Sequence, residues 1–572
     1  MTSFDDVVRA VLARLDEQRF CQRLWERDPS LWKSEPEHQR IIKNALGWLT
    51  VPSAMLRQVD DILRFVDEVR NAGFKHAVVL GMGGSSLCPD VCRATFGTAP
   101  GFLELHVLDS TVPASVARIE KSVDVTETLF VVSSKSGSTA ETMSFYKYFF
   151  DRVGSLRGER AGENFVAITD PGTSLEKLAL EWRFRRVFHG QPDIGGRYSA
   201  LSNFGMVPAA LAGVDVRALL ARAEEMVRAC SASASAEENP GVWLGVTMAE
   251  AARAGRDKIT FVISSRVETF ADWAEQLIAE STGKEGKGLV PVPGEVLGAP
   301  AAYGDDRFFV QLRLTGVTEA DVERKLQALE VVGHPVIRID LQDVLDVGKE
   351  FFRWEVATAT AGALLGINPF DQPNVQESKD NTNWLLAQYR AAGRLAEETP
   401  VMESEGISFY CDATTRSSLE RATKPRAMTD YLAGFLSQAR LGDYVALLAY
   451  LEPSPEQKAV MEAIRLRLRD SLRLATTVGF GPRYLHSTGQ LHKGGNANGL
   501  FIQITADDAE DLPVPGEPYS FSVLKQAQAL GDLESLQSKK RRVVRFHLGK
   551  SVPAGLERLA GLVETALKGI TK

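Results

Sequence analysis

The sequence predicts an α/β protein with doubly wound parallel sheets, in which helices cover both faces of each sheet to give three αβα layers. Short runs of β-branched and apolar residues alternate with helix-length segments from residue 76 onward. The same alternation returns in two later stretches of the chain. Because 44% of the 572 residues are hydrophobic, the chain can bury several cores without disulfides or metals.

The chain is predicted to begin with helices and then to form a first sheet. Residues 1–70 show helical periodicity, which Pro36 and Pro52 interrupt, so we expect a helical N-terminal extension. A parallel sheet is expected in a first domain over residues 71–235, because predicted strands alternate there with helices. These strands lie at residues 76–80, 105–108, 129–132, 165–168 and 186–188.

Two further blocks follow a small, polar segment that begins at Cys230. A second domain is predicted over residues 236–395, with strands at 259–263, 308–312 and 336–339 and helices around 266–280, 318–331 and 346–366. A third α/β block is predicted over residues 396–572, with strands at 407–410, 444–448, 500–504 and 543–546 and a long amphipathic helix near 454–473.

The second and third blocks share a short stretch of sequence. Residues 280–288 and 486–494 are identical at five of nine positions, namely Ser, Thr, Gly, Lys and Gly. Each stretch precedes a Phe-rich run and then a Val-rich run. We therefore hypothesise that the third block repeats the second, with Glu280 and His486 at equivalent positions.

Charge and composition exclude several classes of protein. The chain carries 66 Lys and Arg against 74 Asp and Glu, a net charge of -8 with no long run of one sign, which argues against a nucleic-acid binder. Its five cysteines are scattered and odd in number, which indicates a reducing compartment. The acidic start of the chain lacks the pattern of an export signal, and no stretch approaches the ~18 apolar residues that span a membrane. We expect a cytoplasmic protein with no membrane partner.

The first predicted strand runs into a glycine turn, Leu-Gly-Met-Gly-Gly-Ser-Ser-Leu, at residues 80–87. Glycines allow the backbone to approach a ligand, and the N-terminus of the following helix favours an anion. Gly83, Gly84 and Ser85 are therefore candidate substrate-binding residues. A dinucleotide site is the competing interpretation, because Asp109 ends the next predicted strand, where a ribose-binding carboxylate would lie.

The third predicted strand leads into a loop that is rich in hydroxyl groups. Ser138 and Glu141 have the spacing of a capping box, which needs only one hydroxyl. A surplus of hydroxyls is best explained by a phosphate that needs several donors, and a dinucleotide site does not require this second loop. The candidate substrate-binding residues of this loop are Ser134, Lys135, Ser136, Ser138 and Thr139.

This pair of motifs resembles the sugar-isomerase (SIS) domain, which binds phosphorylated sugars through such a loop. Four further segments resemble motifs of the phosphoglucose isomerase family, over roughly residues 76–380 and more weakly beyond. They are Gly-Gly-Arg-Tyr-Ser at 195–199, Glu-Ser-Thr-Gly-Lys at 280–284, the segment Phe-Asp-Gln-Pro-Asn-Val-Gln-Glu-Ser-Lys at 370–379, and Leu-His-Ser-Thr-Gly-Gln at 485–490.

The resemblance implies an enzyme of glycolysis and gluconeogenesis that interconverts glucose 6-phosphate and fructose 6-phosphate through a cis-enediol, with no metal or other cofactor. Glu280 is expected to move the proton between C2 and C1, since a carboxylate held beside the substrate suits a general base. Arg197 is expected to stabilise the enediolate, because a guanidinium stays charged. Lys379, seven residues after the substrate-binding Gln372, and His486 are expected to open the sugar ring.

The order of these motifs departs from the family. Family members have the histidine before the lysine and receive it from a neighbouring subunit, whereas His486 follows Lys379 in this sequence. Asn374 also stands where the family usually has glycine. The third block could supply the histidine within one chain, so we expect either a homodimer or a monomer that completes its own site.

The chain also resembles the isomerase part of fused transaldolase–phosphoglucose isomerases. No transaldolase barrel is evident in the sequence, and isomerase activity alone is expected. Three alternatives remain: an isomerase that also accepts mannose 6-phosphate, a non-catalytic SIS sensor of sugar phosphates, and a dinucleotide-dependent oxidoreductase. A sensor would not need Glu280, and no helix-turn-helix or basic stripe accompanies the predicted domains.

Overall fold

In the computed structural model, which describes residues 4–317, 319–396 and 398–570, helices precede the first strand, as the sequence predicts. These N-terminal helices are α1 (Phe4–Glu17), α2 (Phe20–Trp25), α3 (Pro36–Lys43) and α4 (Val51–Asn71). Proline stands in the first turn of α3 and of α4, where a helix needs no backbone N–H from it. Pro36 and Pro52 therefore lie in the first turns of helices.

The first sheet has five parallel strands in the order β2-β1-β3-β4-β5. Its strands are β1 (His76–Gly81), β2 (Glu104–Leu108), β3 (Thr128–Ser133), β4 (Phe165–Thr169) and β5 (Arg186–His189). The helices of this part of the chain are α5 (Leu87–Phe96), α6 (Pro113–Ser122), α7 (Ala140–Arg157), α8 (Ser174–Glu181), α9 (Asn203–Leu211), α10 (Val216–Ala229) and α11 (Pro240–Arg253).

The second sheet has four parallel strands in the order β7-β6-β8-β9. These strands are β6 (Lys258–Ile263), β7 (Val290–Val292), β8 (Arg307–Leu314) and β9 (Val336–Leu341). The helices are α12 (Phe270–Thr282), α13 (Ala320–Val331), α14 (Val347–Leu365) and α15 (Pro373–Ala392). A helix was predicted to begin at Thr318, which lies outside the described residues.

The third sheet is mixed, in the order β10-β11-β15-β14-β12-β13. Its four strands from β12 onward run parallel, whereas β11 is antiparallel to β15. The strands are β10 (Met402–Ser404), β11 (Ile407–Tyr410), β12 (Tyr444–Tyr450), β13 (Ala475–Phe480), β14 (Gly499–Thr505) and β15 (Arg542–His547). The helices are α16 (Ala413–Thr423), α17 (Met428–Leu436), α18 (Pro455–Leu472), α19 (Gly489–Gly494), α20 (Phe521–Ser538) and α21 (Val552–Ile570).

Both faces of the first sheet are covered, which confirms the doubly wound α/β class. Val79 and Val131 point into one hydrophobic core, and their neighbours Leu80 and Val132 point into another. Buried parallel strands therefore read as continuous apolar runs. The second of these cores also takes in Leu385 and Leu386 of α15 and Phe521 and Leu524 of α20, so the second and third blocks share a core with the first sheet.

The shared sequence stretches do not occupy equivalent structural positions, so this part of the repeat hypothesis is wrong. Glu280 lies in the last turn of the 13-residue helix α12, whereas His486 ends a short 3-10 helix that precedes α19. The two stretches instead pack side by side, where the N–H of Gly286 donates to the carbonyl oxygen of Gly494 at 3.0 Å. The domain boundaries themselves stay predictions. No helix among the described residues is long and apolar enough to cross a bilayer.

Candidate active site

The glycine turn after β1 lies where three distant segments of the chain meet. Gly83 has a φ of +54°, and a Cβ at this residue would lie 2.8 Å from Nε2 of Gln276 and 3.1 Å from Cβ of His486. A Cβ at Gly84 would lie 2.0 Å from the carbonyl oxygen of Gly196. Ser85 is buried in the same turn. The glycines therefore permit close packing of protein segments around the candidate site.

The hydroxyl-rich loop after β3 lines a cavity of about 290 Å³ with Ser136, Ser138 and Thr139. Ser134 is buried behind them, and its Oγ lies 3.0 Å from Oγ1 of Thr139. The N-cap residue of α7, Thr139, makes no side-chain capping bond, so the predicted capping box of Ser138 and Glu141 is not formed. Hydroxyls that do not cap the helix are available to a ligand.

Lys135 is not brought to this cavity. Its ammonium forms an ion pair with Asp170 and donates to the carbonyl oxygen of Gln191 at 3.1 Å. The Asp170 carboxylate can reach the Lys135 ammonium because Asp170 follows β4, the strand next to β3. Lys135 was predicted to bind substrate. The structure corrects this, because the Lys135 side chain lies beside Asp170 and not in the cavity.

The third block places His486 in the cavity, across from the hydroxyl-rich loop. Its Nε2 lies 2.9 Å from Oε1 of Glu141, on α7. The same carboxylate oxygen accepts a hydrogen bond of 2.7 Å from Nε2 of Gln528, on α20. Lys379, on α15, also lines the cavity. Three parts of the chain thus converge here, and His492 lies apart, packed against Phe501.

Glu141 is a functional candidate that the sequence analysis missed. Burial raises the pKa of Glu141, but His486 and Lys379 outweigh this and leave the pKa below its ordinary value. An ionised carboxylate can hold an imidazole in one orientation and stabilise its protonated form. The sequence suggested only a helix-capping role for Glu141, because its histidine partner is 345 residues away.

Glu280 and Arg197 form a buried ion pair beside this cavity, with Nη1 3.1 Å from Oε1. The guanidinium is fixed by bonds to Oγ of Ser281 at 2.7 Å and to Oε1 of Gln372 at 3.0 Å. Nε2 of Gln276 donates both to Glu280 at 3.0 Å and to the carbonyl oxygen of His486 at 2.7 Å. Gln276 therefore joins the Glu280 cluster to the His486 segment.

Lys284 is buried behind this pair and holds the loop that carries Gln372. Its Nζ donates to the carbonyl oxygen of Asn368 at 2.6 Å and lies 2.9 Å from Oδ1 of Asp371. Burial and the nearby charge of Arg197 lower the pKa of Lys284 to about 7. Lys284 thus helps to position Arg197 indirectly, by holding the loop at 368–372 that carries Gln372.

This low pKa predicts a pH-dependent stability. Between about pH 7 and 10.5, Lys284 is protonated in the unfolded chain but neutral in the folded one, so the free energy of unfolding rises with pH over this window. The substitution Lys284→Met should remove up to about 1.4 kcal/mol per pH unit from that rise. Denaturant unfolding at several pH values measures it. Lys287→Met, whose ammonium is exposed, is the control, and equal slopes in the wild type and Lys284→Met would refute the prediction.

Comparison with known proteins identifies the family. Residues 56–304 match the family model described as phosphoglucose isomerase. A glucose-6-phosphate isomerase from Rubrobacter xylanophilus is 30% identical over 387 residues, which cover 59% of this chain and 88% of the relative. The chain belongs to the phosphoglucose isomerase family. The glucose-6-phosphate isomerase of Carboxydothermus hydrogenoformans is 28% identical over 402 residues, covering 60% of this chain and 85% of that relative.

Solved structures share the fold of this family member. A hypothetical protein from Thermus thermophilus superimposes with a TM-score of 0.57 and 26% identity, covering 68% of this chain and 99% of that protein. A glucose-6-phosphate isomerase from Chlamydia trachomatis gives a TM-score of 0.50 at 21% identity, covering 65% and 78%. The family model and the relatives confirm the predicted relationship to phosphoglucose isomerases, and these structures share its fold. The matched residues 56–304 include Arg197 and Glu280 but end before Lys379 and His486.

Proposed function

We propose that this chain interconverts glucose 6-phosphate and fructose 6-phosphate, as a step of glycolysis and gluconeogenesis. The observation that carries the proposal is the buried pair of Glu280 and Arg197 beside a hydroxyl-lined cavity, in a member of the phosphoglucose isomerase family. The relatives that match it are named glucose-6-phosphate isomerases. We also propose a cytoplasmic location, as the sequence analysis expects.

The phosphate of the substrate would bind to the loop after β3. Ser136, Ser138 and Thr139 offer hydroxyl donors on one wall of the cavity. The N-terminus of the 18-residue helix α7 follows directly, and its unpaired N–H groups and dipole favour an anion. Ser134 would orient Thr139 from behind, through the contact between their hydroxyls.

The sugar ring would be opened by His486 and Lys379. Opening removes the proton of the anomeric hydroxyl and adds a proton to the ring oxygen. A histidine can exchange a proton near neutral pH, and the carboxylate of Glu141 would hold its ring in place. Lys379 would contribute a positive charge on the same wall of the cavity.

Glu280 would then transfer the proton between two carbons. Its carboxylate takes the proton from C2 of the open aldose as an enediolate forms, and returns it to C1 as the C2 carbonyl forms. Arg197 would stabilise the negative charge on the enediolate oxygen. Oε1 of Gln276 is buried without a hydrogen-bond partner among the described residues, so it can accept from a substrate hydroxyl.

Proton NMR of glucose 6-phosphate with the purified chain in D₂O tests this function. Formation of fructose 6-phosphate with deuterium at C2 of the recovered aldose is expected, without added nucleotide. Binding without product or exchange would instead indicate a sugar-phosphate sensor. A requirement for a dinucleotide would indicate an oxidoreductase. The ion pair of Asp109 with Arg483, with Oδ2 3.4 Å from Nε, argues against a ribose at this carboxylate. The same assay with mannose 6-phosphate measures relaxed specificity.

The phosphate site gives a prediction for Ser138→Ala. A hydrogen bond to a charged group contributes about 1.5–3 kcal/mol, so KM should rise about tenfold to a hundredfold. The interaction is equal in the ground and transition states, so kcat should stay within about twofold of the wild type. Steady-state kinetics measure both constants. Ser155→Ala, on the exposed side of α7, is the matched control, and an unchanged KM in Ser138→Ala would place the phosphate elsewhere.

The origin of His486 gives a prediction for the oligomeric state. His486 and Glu141 belong to the same chain, so one chain would supply the groups that family members obtain from a neighbouring subunit. We expect the turnover per chain to stay constant when the protein is diluted, including at concentrations where light scattering finds a monomer. Activity that disappears as a dimer dissociates would show that the partner subunit completes the site.

A further inference from the structure

Two histidines and a glutamate cluster at the amino-terminal end of the first sheet. In the register of β1 and β2, His76 lies directly opposite Glu104, and His106 follows Glu104 by two residues. Residues two apart on a strand point to the same face of a sheet. The three side chains therefore project together from the edge strand β2 and its neighbour.

We propose that His76, Glu104 and His106 bind a zinc ion. Their possible ligand atoms all lie within 4.8 Å of one another. Nδ1 of His76 is 3.5 Å from one Glu104 oxygen, and Nε2 of His106 is 3.8 Å from the other. Zinc with bonds of about 2.1 Å in tetrahedral geometry needs ligand atoms about 3.4 Å apart, so only small side-chain adjustments are required.

The two ring nitrogens that face this space are the second observation. Nδ1 of His76 and Nε2 of His106 are buried, and neither has a hydrogen-bond partner among the described residues. Buried polar atoms are almost always paired, so such atoms require an explanation. Two unpaired imidazole nitrogens that converge on one carboxylate are explained by a cation that all three bind.

The chemistry of the three side chains suits zinc. Imidazole nitrogens are zinc ligands, and the Glu104 carboxylate supplies negative charge. The side chains of His76 and His106 are only 20% and 15% exposed, whereas that of Glu104 is 61% exposed. The fourth coordination position would therefore be open to water.

This zinc site would stabilise the sheet rather than act on the sugar. The cluster is at the start of β1 and β2, whereas the glycine turn and the hydroxyl-rich loop follow the ends of β1 and β3. A strand of six residues is about 20 Å long, so the zinc would lie outside contact with the substrate. It would attach edge strand β2 to β1, and it does not depend on the proposed isomerase function.

Titration of the untagged, metal-free chain with Co²⁺ and Zn²⁺ tests the proposal. Cobalt should bind at one site per chain with the visible spectrum of a nitrogen-ligated ion, and zinc should displace it. The melting temperature should rise with zinc. The double substitution His76→Ala and His106→Ala should abolish this binding and the rise in melting temperature, with isomerase activity unchanged in metal-free buffer.

A matched control separates this cluster from other histidine and carboxylate pairs. His189 lies 2.7 Å from Glu176 but is not part of the cluster, so His189→Ala should bind one cobalt ion as the wild type does. The proposal is overturned if the wild type binds no cobalt. It is equally overturned if binding survives the double substitution, or is lost in His486→Ala instead.

Discussion

The substitution Glu280→Gln should lower kcat by about 10²–10⁴-fold, the usual contribution of a positioned general base. Glutamine keeps the size of the side chain and an oxygen that can accept the bond from Gln276, but it cannot take a proton from C2. The dissociation constant for fructose 6-phosphate should change by less than about tenfold, because the rest of the site is retained. Coupled kinetics, calorimetry and deuterium exchange measure these quantities.

Glu285→Gln is the control for this substitution. Glu285 is only five residues further along the chain, but its carboxylate is exposed and pairs with Lys33 at 2.8 Å. Its loss should leave kcat within about twofold of the wild type, as for most exposed side chains. If Glu280→Gln turned over normally with full exchange at C2, Glu280 would not be the base. Another carboxylate near the cavity would then be the base, and Glu141 is the first candidate.

The central strands were predictable because burial on both faces leaves a strong sequence signal. β1 and β3 read as unbroken apolar runs, which few other structures explain. In contrast, β7 has only three residues and β13 includes a glycine, and both are edge strands. A run of three residues, or one that a glycine interrupts, does not stand out from a loop in the sequence.

The candidate site was predictable where one local segment carries the chemistry. The hydroxyls of Ser136, Ser138 and Thr139 follow a strand, and they line one cavity. Lys135 belongs to the same segment, but Asp170, 35 residues away, takes its cation. Glu141 is the opposite case: it lies in the candidate site, but the sequence analysis missed it because helix capping explained a glutamate at this position equally well. The roles of Lys135 and Glu141 depend on contacts between segments that are distant in the chain. A single sequence does not contain that information.

The substitution His486→Ala should stop ring opening. Opening and closing the ring without proton transfer at C2 interconverts the two anomers of glucose 6-phosphate, and Glu280→Gln should leave this anomer exchange intact. We expect His486→Ala to lower both anomer exchange and isomerisation by about 10²–10⁴-fold, since both need an acid–base group at the ring. Exchange NMR of the anomers and coupled kinetics measure the two reactions.

The comparison of the two variants separates the proposed roles more sharply than either alone. Glu280→Gln should retain anomer exchange while it loses isomerisation, because His486 and Lys379 remain on the cavity wall. His492→Gln is the control, since this buried histidine packs against Phe501 away from the cavity, and thermal melting corrects for any loss of folded protein. If His486→Ala exchanged the anomers at the wild-type rate, ring opening would belong to another group. The bond from His486 to Glu141 would then serve only to dock the third block on α7.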